Sequence, residues 1–152
     1  MKPPLIPPSF LKMIYRQAVH EDPHECCGML TSYPQSPESI TRLRPCRNVY
    51  DACHGLDPDN FPRSGKTAYF IDPAELLEIQ KENRALKEKI RVLYHSHIDQ
   101  GAYFSEEDER VASPEGEPAY PGVDYLVVSV VRGEVKESNL FHWDPRRRRH
   151  VL

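Results

Sequence analysis

The 152-residue sequence lacks any apolar run approaching the roughly 18 residues a membrane-spanning helix requires, and its mean hydropathy is −0.64. No membrane association is expected. Residues 1–8 carry one Lys and no sustained apolar stretch, so they do not read as a secretory signal. Cysteine is scarce. Cys26, Cys27, Cys46 and Cys53 contain no CxxC spacing, and six residues separate the last two. That excludes a disulfide framework and a Cys-type zinc site, and makes reduced thiols in the cytoplasm the expectation. Cys26 and Cys27 are read as small buried apolar residues rather than nucleophiles. An excess of positive charge is also missing. The net charge is −3, and without the run Arg146-Arg147-Arg148-Arg149 the remainder is 16 Lys and Arg against 23 Asp and Glu. Nucleic-acid binding is not expected, and the Arg run reads as a solvated, frayed tail.

What remains is 39% apolar and 28% charged, enough for one domain with a real core, and mixed enough to argue against disorder despite 15 Pro. Residues 9–20 place Leu11, Ile14, Tyr15, Ala18 and Val19 on one helical face, with Ser9 as cap and Pro23 beyond the end. Residues 27–33 and 40–47 read as strands, 48–65 as a long loop, and 67–71 as another strand. Asp72-Pro73-Ala74-Glu75 starts a helix, with a buried stripe of Leu76, Ile79, Leu86 and Ile90. A strand at 91–97, a short helix at 105–112 and a Pro-rich loop at 113–123 follow. The β-branched run 124–132 predicts a central strand, which Gly133-Glu134 turns into a last strand at 135–143. The class is α+β, a curved mixed sheet with helices packed on it. Residues 1–8 form a Pro-rich lead, 9–143 the domain and 144–152 the Arg-rich tail.

The chemistry concentrates in His95-Ser96-His97-Ile98-Asp99-Gln100-Gly101-Ala102-Tyr103-Phe104-Ser105-Glu106-Glu107-Asp108. Side chains two apart on a strand share a face, so His95 and His97 present two imidazoles to one point. Gly101 lets the chain turn back, Ser105 opens a helix, and Asp108 stands in its first turn. Two His and one carboxylate, with a fourth position open to water, suit a catalytic zinc ion that acidifies water and polarises a carbonyl. Hydrolysis also needs a proton acceptor, and Glu25, at the mouth of the first strand, is the candidate. Each piece has a plainer reading. His-x-His occurs by chance, Ser105-x-x-Asp108 is an ordinary capping box, and Glu25 alone is a charge beside a strand. Their co-occurrence in this order gives the functional reading its weight.

Glu25, then His95-x-His97, seven residues, then Ser105-x-x-Asp108 resembles the JAMM (MPN-plus) metalloprotease motif. The likeness extends to residues 23–30, to 94–110 and to 120–130, and covers about residues 10–143. It implies a curved mixed sheet flanked by helices, with His95, His97 and Asp108 as Zn²⁺ ligands. Glu25 would activate the zinc-bound water, and Ser105 would hydrogen-bond the oxyanion. Ser96 is assigned only to positioning. The resemblance further implies cleavage of an amide or isopeptide bond after the C-terminal Gly-Gly of a ubiquitin-like protein. Small bacterial members that look like this chain are linked to sulfur carriers, from whose tail they release cysteine or another C-terminal addition, and the absence of an appended targeting domain fits that role. The loops 48–65 and 113–123 are where substrate contacts are expected, and a narrow channel would reject Leu in place of the penultimate Gly. Many family members dimerise, so a homodimer is a further expectation.

Four other readings compete. An inert MPN-type scaffold normally lacks the ligands that are present here. A zinc nucleoside deaminase needs H-x-E and P-C-x-x-C, yet His24 and Glu25 are adjacent and Pro45-Cys46 has no second Cys at that spacing. Ser64-Gly65-Lys66-Thr67 suggests a P-loop, but Asn60 stands where the first Gly belongs. A Cys protease would show sensitivity to thiol reagents and not to chelators. His24, His54 and His142 are read as surface or packing residues.

Overall fold

The computed structural model describes residues 2–152 and confirms the α+β class. Six strands form one curled sheet in the order β2-β1-β3-β4-β5-β6: β1 (Cys27–Tyr33), β2 (Ser36–Cys46), β3 (Lys89–Ile98), β4 (Asp124–Val131), β5 (Glu134–Asp144) and β6 (Arg149–Val151). β3 and β4 are parallel and every other pair is antiparallel. Register shifts within the β1–β2, β1–β3 and β4–β5 ladders add local twist and curl the sheet. The helices are α1 (Pro8–Glu21), α2 (Tyr50–Leu56), α3 (Pro73–Leu86) and α4 (Glu106–Ala112). No helix among the described residues is long and apolar enough to cross a membrane.

The central strands are buried on both faces, as their near-continuous apolar runs require. On one face, Ile14 and Ala18 of α1 pack with Cys26, Leu30, Val92, Tyr94, Leu126, Val128 and Val130. On the other, Ile79 of α3 meets Cys27, Met29, Leu93, Tyr125, Val127 and Phe141. Strand alternation therefore sends Tyr94 to the α1 face and Leu93, His95 and His97 to the opposite one. Gly28 is required by this packing. A Cβ there would lie 2.2 Å from the Tyr94 hydroxyl oxygen.

Several local expectations change. α1 begins at Pro8 with Pro7 as an uncapped N-cap, so Ser9 lies inside the helix, and Val19 is exposed. β2 starts at Ser36, earlier than the apolar alternation suggested. The region read as a loop at 48–65 contains α2, whose Tyr50 packs edge-on against Phe61 at 5.5 Å. Residues 67–71 are not a strand. They keep one isolated bridge, Ile71 with Asn48, and the Val49 amide donates to the Phe70 carbonyl, while the Asn48 side chain donates to the Ala68 carbonyl and accepts from the Phe70 amide. α3 ends at Leu86, because Lys87 adopts a left-handed conformation with φ 57°, so Ile90 belongs to β3 and Leu86 is half exposed. The Arg-rich end is not frayed. Arg149–Val151 pairs with β5, and His150 is buried, with its Nδ1 2.6 Å from Glu109.

Candidate metal centre

β3 carries His95 and His97 to its C-terminal end, and the chain returns through Gly101 to α4. Ser105 is the N-cap of α4 and closes a reciprocal capping box with Asp108: the Asp108 amide donates to Ser105 Oγ, and the Ser105 amide donates to Asp108 Oδ2, both at 3.0 Å. The capping box is thus also the device that aims the carboxylate. Asp108 Oδ1 lies 3.1 Å from His95 Nε2, Oδ2 lies 3.0 Å from His97 Nε2, and the two Nε2 atoms are 3.3 Å apart. The capping box of the plain reading therefore leaves Asp108 beside the two imidazoles, as the functional reading requires.

The tautomers follow from the surroundings. His97 Nδ1 is 3.0 Å from the Gly101 carbonyl, an obligate acceptor, so Nδ1 bears the proton and the Nε2 lone pair faces His95 and Asp108. His95 has no partner at Nδ1; its ring is instead stacked on Tyr69, with centroids 4.6 Å apart. Burial raises the Asp108 pKa, but the two imidazoles outweigh it and hold the carboxyl ionised, well below the usual range. Buried nitrogen and oxygen lone pairs converge on one point, the arrangement a cation relieves. The His95-His97-Asp108 group could hold a metal ion. For tetrahedral zinc bound at about 2.0–2.1 Å, ligand atoms should lie about 3.3 Å apart, and the observed separations of 3.3, 3.1 and 3.0 Å fit.

Glu25 stands just before β1 and is 5% exposed. Its amide donates to the Gly65 carbonyl at 2.7 Å, and its carbonyl accepts from the Asn48 side chain at 2.9 Å. Ser96 completes the support: its Oγ accepts from the Cys26 amide at 2.7 Å, and its amide donates to the Cys26 carbonyl. β1 is thereby locked to β3 one residue from both Glu25 and the imidazoles, the positioning part expected of Ser96. Glu25, His97, Ser105 and Asp108 line a single cleft of about 120 Å³ with Arg63, Lys66, Thr67, Gln100 and Tyr103. Burial pushes the Glu25 carboxyl up to about 7, and nearby His95 and His97 oppose the rise. Cys26 and Cys27 are fully buried, and burial pushes the Cys26 thiol up to about 12 and the Cys27 thiol higher still, so neither thiol is poised as a nucleophile.

Three supporting residues escaped the sequence reading. Asn48 ties Glu25, Gly65 and Ala68 through one amide, Tyr69 backs His95, and Arg63 stands at the cleft's rim. No spacing rule marks such residues. Lys66 and Thr67 carry sequence signals only for an incomplete P-loop and, for Thr67, the start of the 67–71 strand. The 113–123 loop, expected to contact substrate, contributes nothing to the cleft. His24 pairs with Asp51 at 3.1 Å, both half exposed, consistent with a surface role.

A curled mixed sheet presenting His-x-His at a strand end, with an aspartate from the next helix closing on it, defines an α+β domain of the JAB/MPN class with a candidate metal centre. The family described as prokaryotic homologs of the JAB domain matches residues 7–146, and the chain belongs to it. The fold is shared with a protein from Desulfitobacterium hafniense solved in solution, at TM-score 0.61 and 24% identity, over 88% of this chain and 78% of that one. A Salinibacter ruber protein solved in solution aligns at TM-score 0.59 and 19% identity, over 95% and 85%. Among curated proteins none matches.

Proposed function

We propose that this chain is a zinc-dependent peptidase that hydrolyses the amide bond following the C-terminal Gly-Gly of a ubiquitin-like, sulfur-carrier type protein. The observation that carries the reading is the triangle of His95 Nε2, His97 Nε2 and the Asp108 carboxylate, with 3.0–3.3 Å edges, in one cleft with the buried Glu25. An inert scaffold would have no need to keep these lone pairs convergent and a carboxyl desolvated beside them.

Zinc held by His95, His97 and Asp108 would supply Lewis acidity, lowering the pKa of a water and polarising the scissile carbonyl. Glu25 takes a proton from the attacking water, whose oxygen joins the glycine carbonyl carbon. As the C–N bond breaks, Glu25 returns that proton to the leaving nitrogen. A carboxyl near 7 suits both directions of transfer at neutral pH. Ser105 Oγ already accepts from the Asp108 amide, so its own hydrogen is free to donate to the carbonyl oxygen as that atom gains charge. Gly101 and Ser96 act indirectly, the first by fixing the His97 tautomer and the second by holding β1 to β3.

The test is metal analysis of freshly purified protein, followed by incubation with a carrier extended beyond its Gly-Gly. Near-stoichiometric zinc and chelator-sensitive release of the extension are expected. Absence of zinc, or cleavage unaffected by chelators, overturns the reading. The Gly-Gly requirement is checked by placing Leu at the penultimate Gly, which should abolish release.

A further inference from the structure

The cleft that Asp108 and Ser105 line also carries two cations, and hydrolysis as described does not use them. Arg63 and Lys66 are both exposed and both line the cleft. Among the described residues neither side chain makes a hydrogen bond or ion pair. Most other arginines here do: Arg42, Arg44, Arg47, Arg91, Arg110, Arg147 and Arg148 all contact carboxylates.

The segment bearing the two cations is well anchored. Gly65 lies between them, with its amide on Asp51 Oδ1 at 2.7 Å and its carbonyl accepting from the Glu25 amide. Asn48 Nδ2 reaches both Gly65 and Ala68, and the Arg63 amide donates to the Tyr50 hydroxyl at 3.3 Å. The backbone that places Glu25 is therefore the one that places Arg63 and Lys66. Exposed side chains on an anchored loop, unpaired and lining one cleft with Glu25, are poised for an anion brought by a ligand.

A diglycine tail carries no charge on its reacting peptide units. The anion must then come from the leaving side of the scissile bond. In a single terminal amino acid the carboxylate carbon is about 2.5 Å from the leaving nitrogen, by ordinary backbone dimensions. A cleft of about 120 Å³ has the volume of about four waters, room for one small residue. An isopeptide-linked lysine side chain would bring no anion to that position.

Resting on the peptidase reading, we propose that Arg63 and Lys66 are specificity-determining residues that bind the free α-carboxylate of the leaving group. They favour release of one terminal amino acid over isopeptide cleavage.

The probes are two labelled peptides of one sequence ending Gly-Gly-Ala, one a free acid and the other a carboxamide. With the zinc-loaded full chain, the free acid should be preferred in kcat/KM by on the order of 10- to 100-fold, the worth of a charge-assisted hydrogen bond. The preference should reside mainly in KM. In Arg63→Gln/Lys66→Gln the ratio should fall to within about twofold, and in Arg63→Glu/Lys66→Glu it should reverse. These are exposed positions, and circular dichroism of each variant establishes that it is folded. Equal cleavage of acid and amide by the parent overturns the proposal. If neither peptide is cleaved, the peptidase reading fails and anisotropy on Glu25→Gln decides the other: tighter binding of the acid, lost with the Gln pair, supports recognition, and equal binding overturns it.

Discussion

Strand β3 bears a buried ionic cluster near each end, and the two obey opposite accounts. At its start, Arg91 meets Asp124 of β4 at 3.0 Å, with side chains 5% and 11% exposed. Its remaining donors reach the carbonyls of Pro37, Gly122 and Lys2, each at 3.1 Å. Charge and hydrogen bonds are balanced there, and the cluster stitches the N-terminal segment and the β2 region to the sheet. At the far end, His95, His97 and Asp108 collect acceptors without a matching cation. The carboxyl shifts do not follow that division: for Asp124, burial prevails over Arg91 and the pKa is raised, whereas for Asp108 the imidazoles prevail over burial and it is lowered. The division rests on geometry: the first cluster carries its own cation, and the second is a group that could hold one.

The sharpest break of that comparison is kinetic. Glu25→Gln should retain zinc yet lose about 10²–10⁴ in rate, measured with the extended carrier alongside metal analysis, because it removes a proton acceptor and no ligand. A variant as fast as the parent would remove Glu25 from the mechanism. Next is stability at the Arg91 cluster. Asp124→Asn leaves Arg91 buried without its counter-charge and should cost about 3–5 kcal/mol in urea unfolding, while zinc content per folded molecule is unchanged. Asp108→Asn should instead lower zinc content while leaving the Arg91 cluster intact. Unchanged zinc content would erase the distinction.

Ligand linkage sharpens the same point. Zinc at about 100 times its Kd should raise the parent's stability by about 2.7 kcal/mol, and chelation should remove the gain. His97→Ala and Asp108→Ala should show no gain, and Asp124→Asn the full one.

The smallest effect lies where the C-terminal strand is pinned to α4. Burial raises the Glu109 pKa, but hydrogen bonds from His150 and Ser113 outweigh it and hold the carboxyl below its usual value. A lowered carboxylate adds stability above its unfolded-state pKa, near 4.5, and loses it as pH falls through the folded one. Thermal melts between pH 6 and pH 3 should therefore show a steeper loss in the parent than in Glu109→Gln. At neutral pH that substitution should cost about 1.5 kcal/mol. Parallel pH profiles for the two proteins would show that the contact carries no linked proton.

The parts of the centre that are close in sequence were readable without coordinates. His95 and His97 follow the two-residue period of a strand, and Ser105 and Asp108 the three-residue reach of a helix cap, so local geometry dictates which side chains neighbour one another. β1 is legible from its short Cys27–Tyr33 stretch, which lies between the Pro23 break and the Pro34 turn. What failed was non-local. α2 and the 67–71 segment depend on one amide, Asn48, that draws together residues 20 or so positions apart. β6 reads as a charged tail until β5 pairs with it and Glu109 accepts from His150.

Alternation and capping thus decided from the chain alone that His95 would stand beside His97 and Asp108 beside Ser105, since backbone stereochemistry acts over two to four residues. Only the folded sheet decided that Asp108 would close on the two imidazoles and that Glu25, 70 residues upstream of His95, would share a cleft with His97, Ser105 and Asp108. Only it set Arg63 and Lys66 in that cleft and closed Arg91 onto Asp124. Those pairings are settled by burial and by hydrogen-bond balance across strands, which no local pattern records.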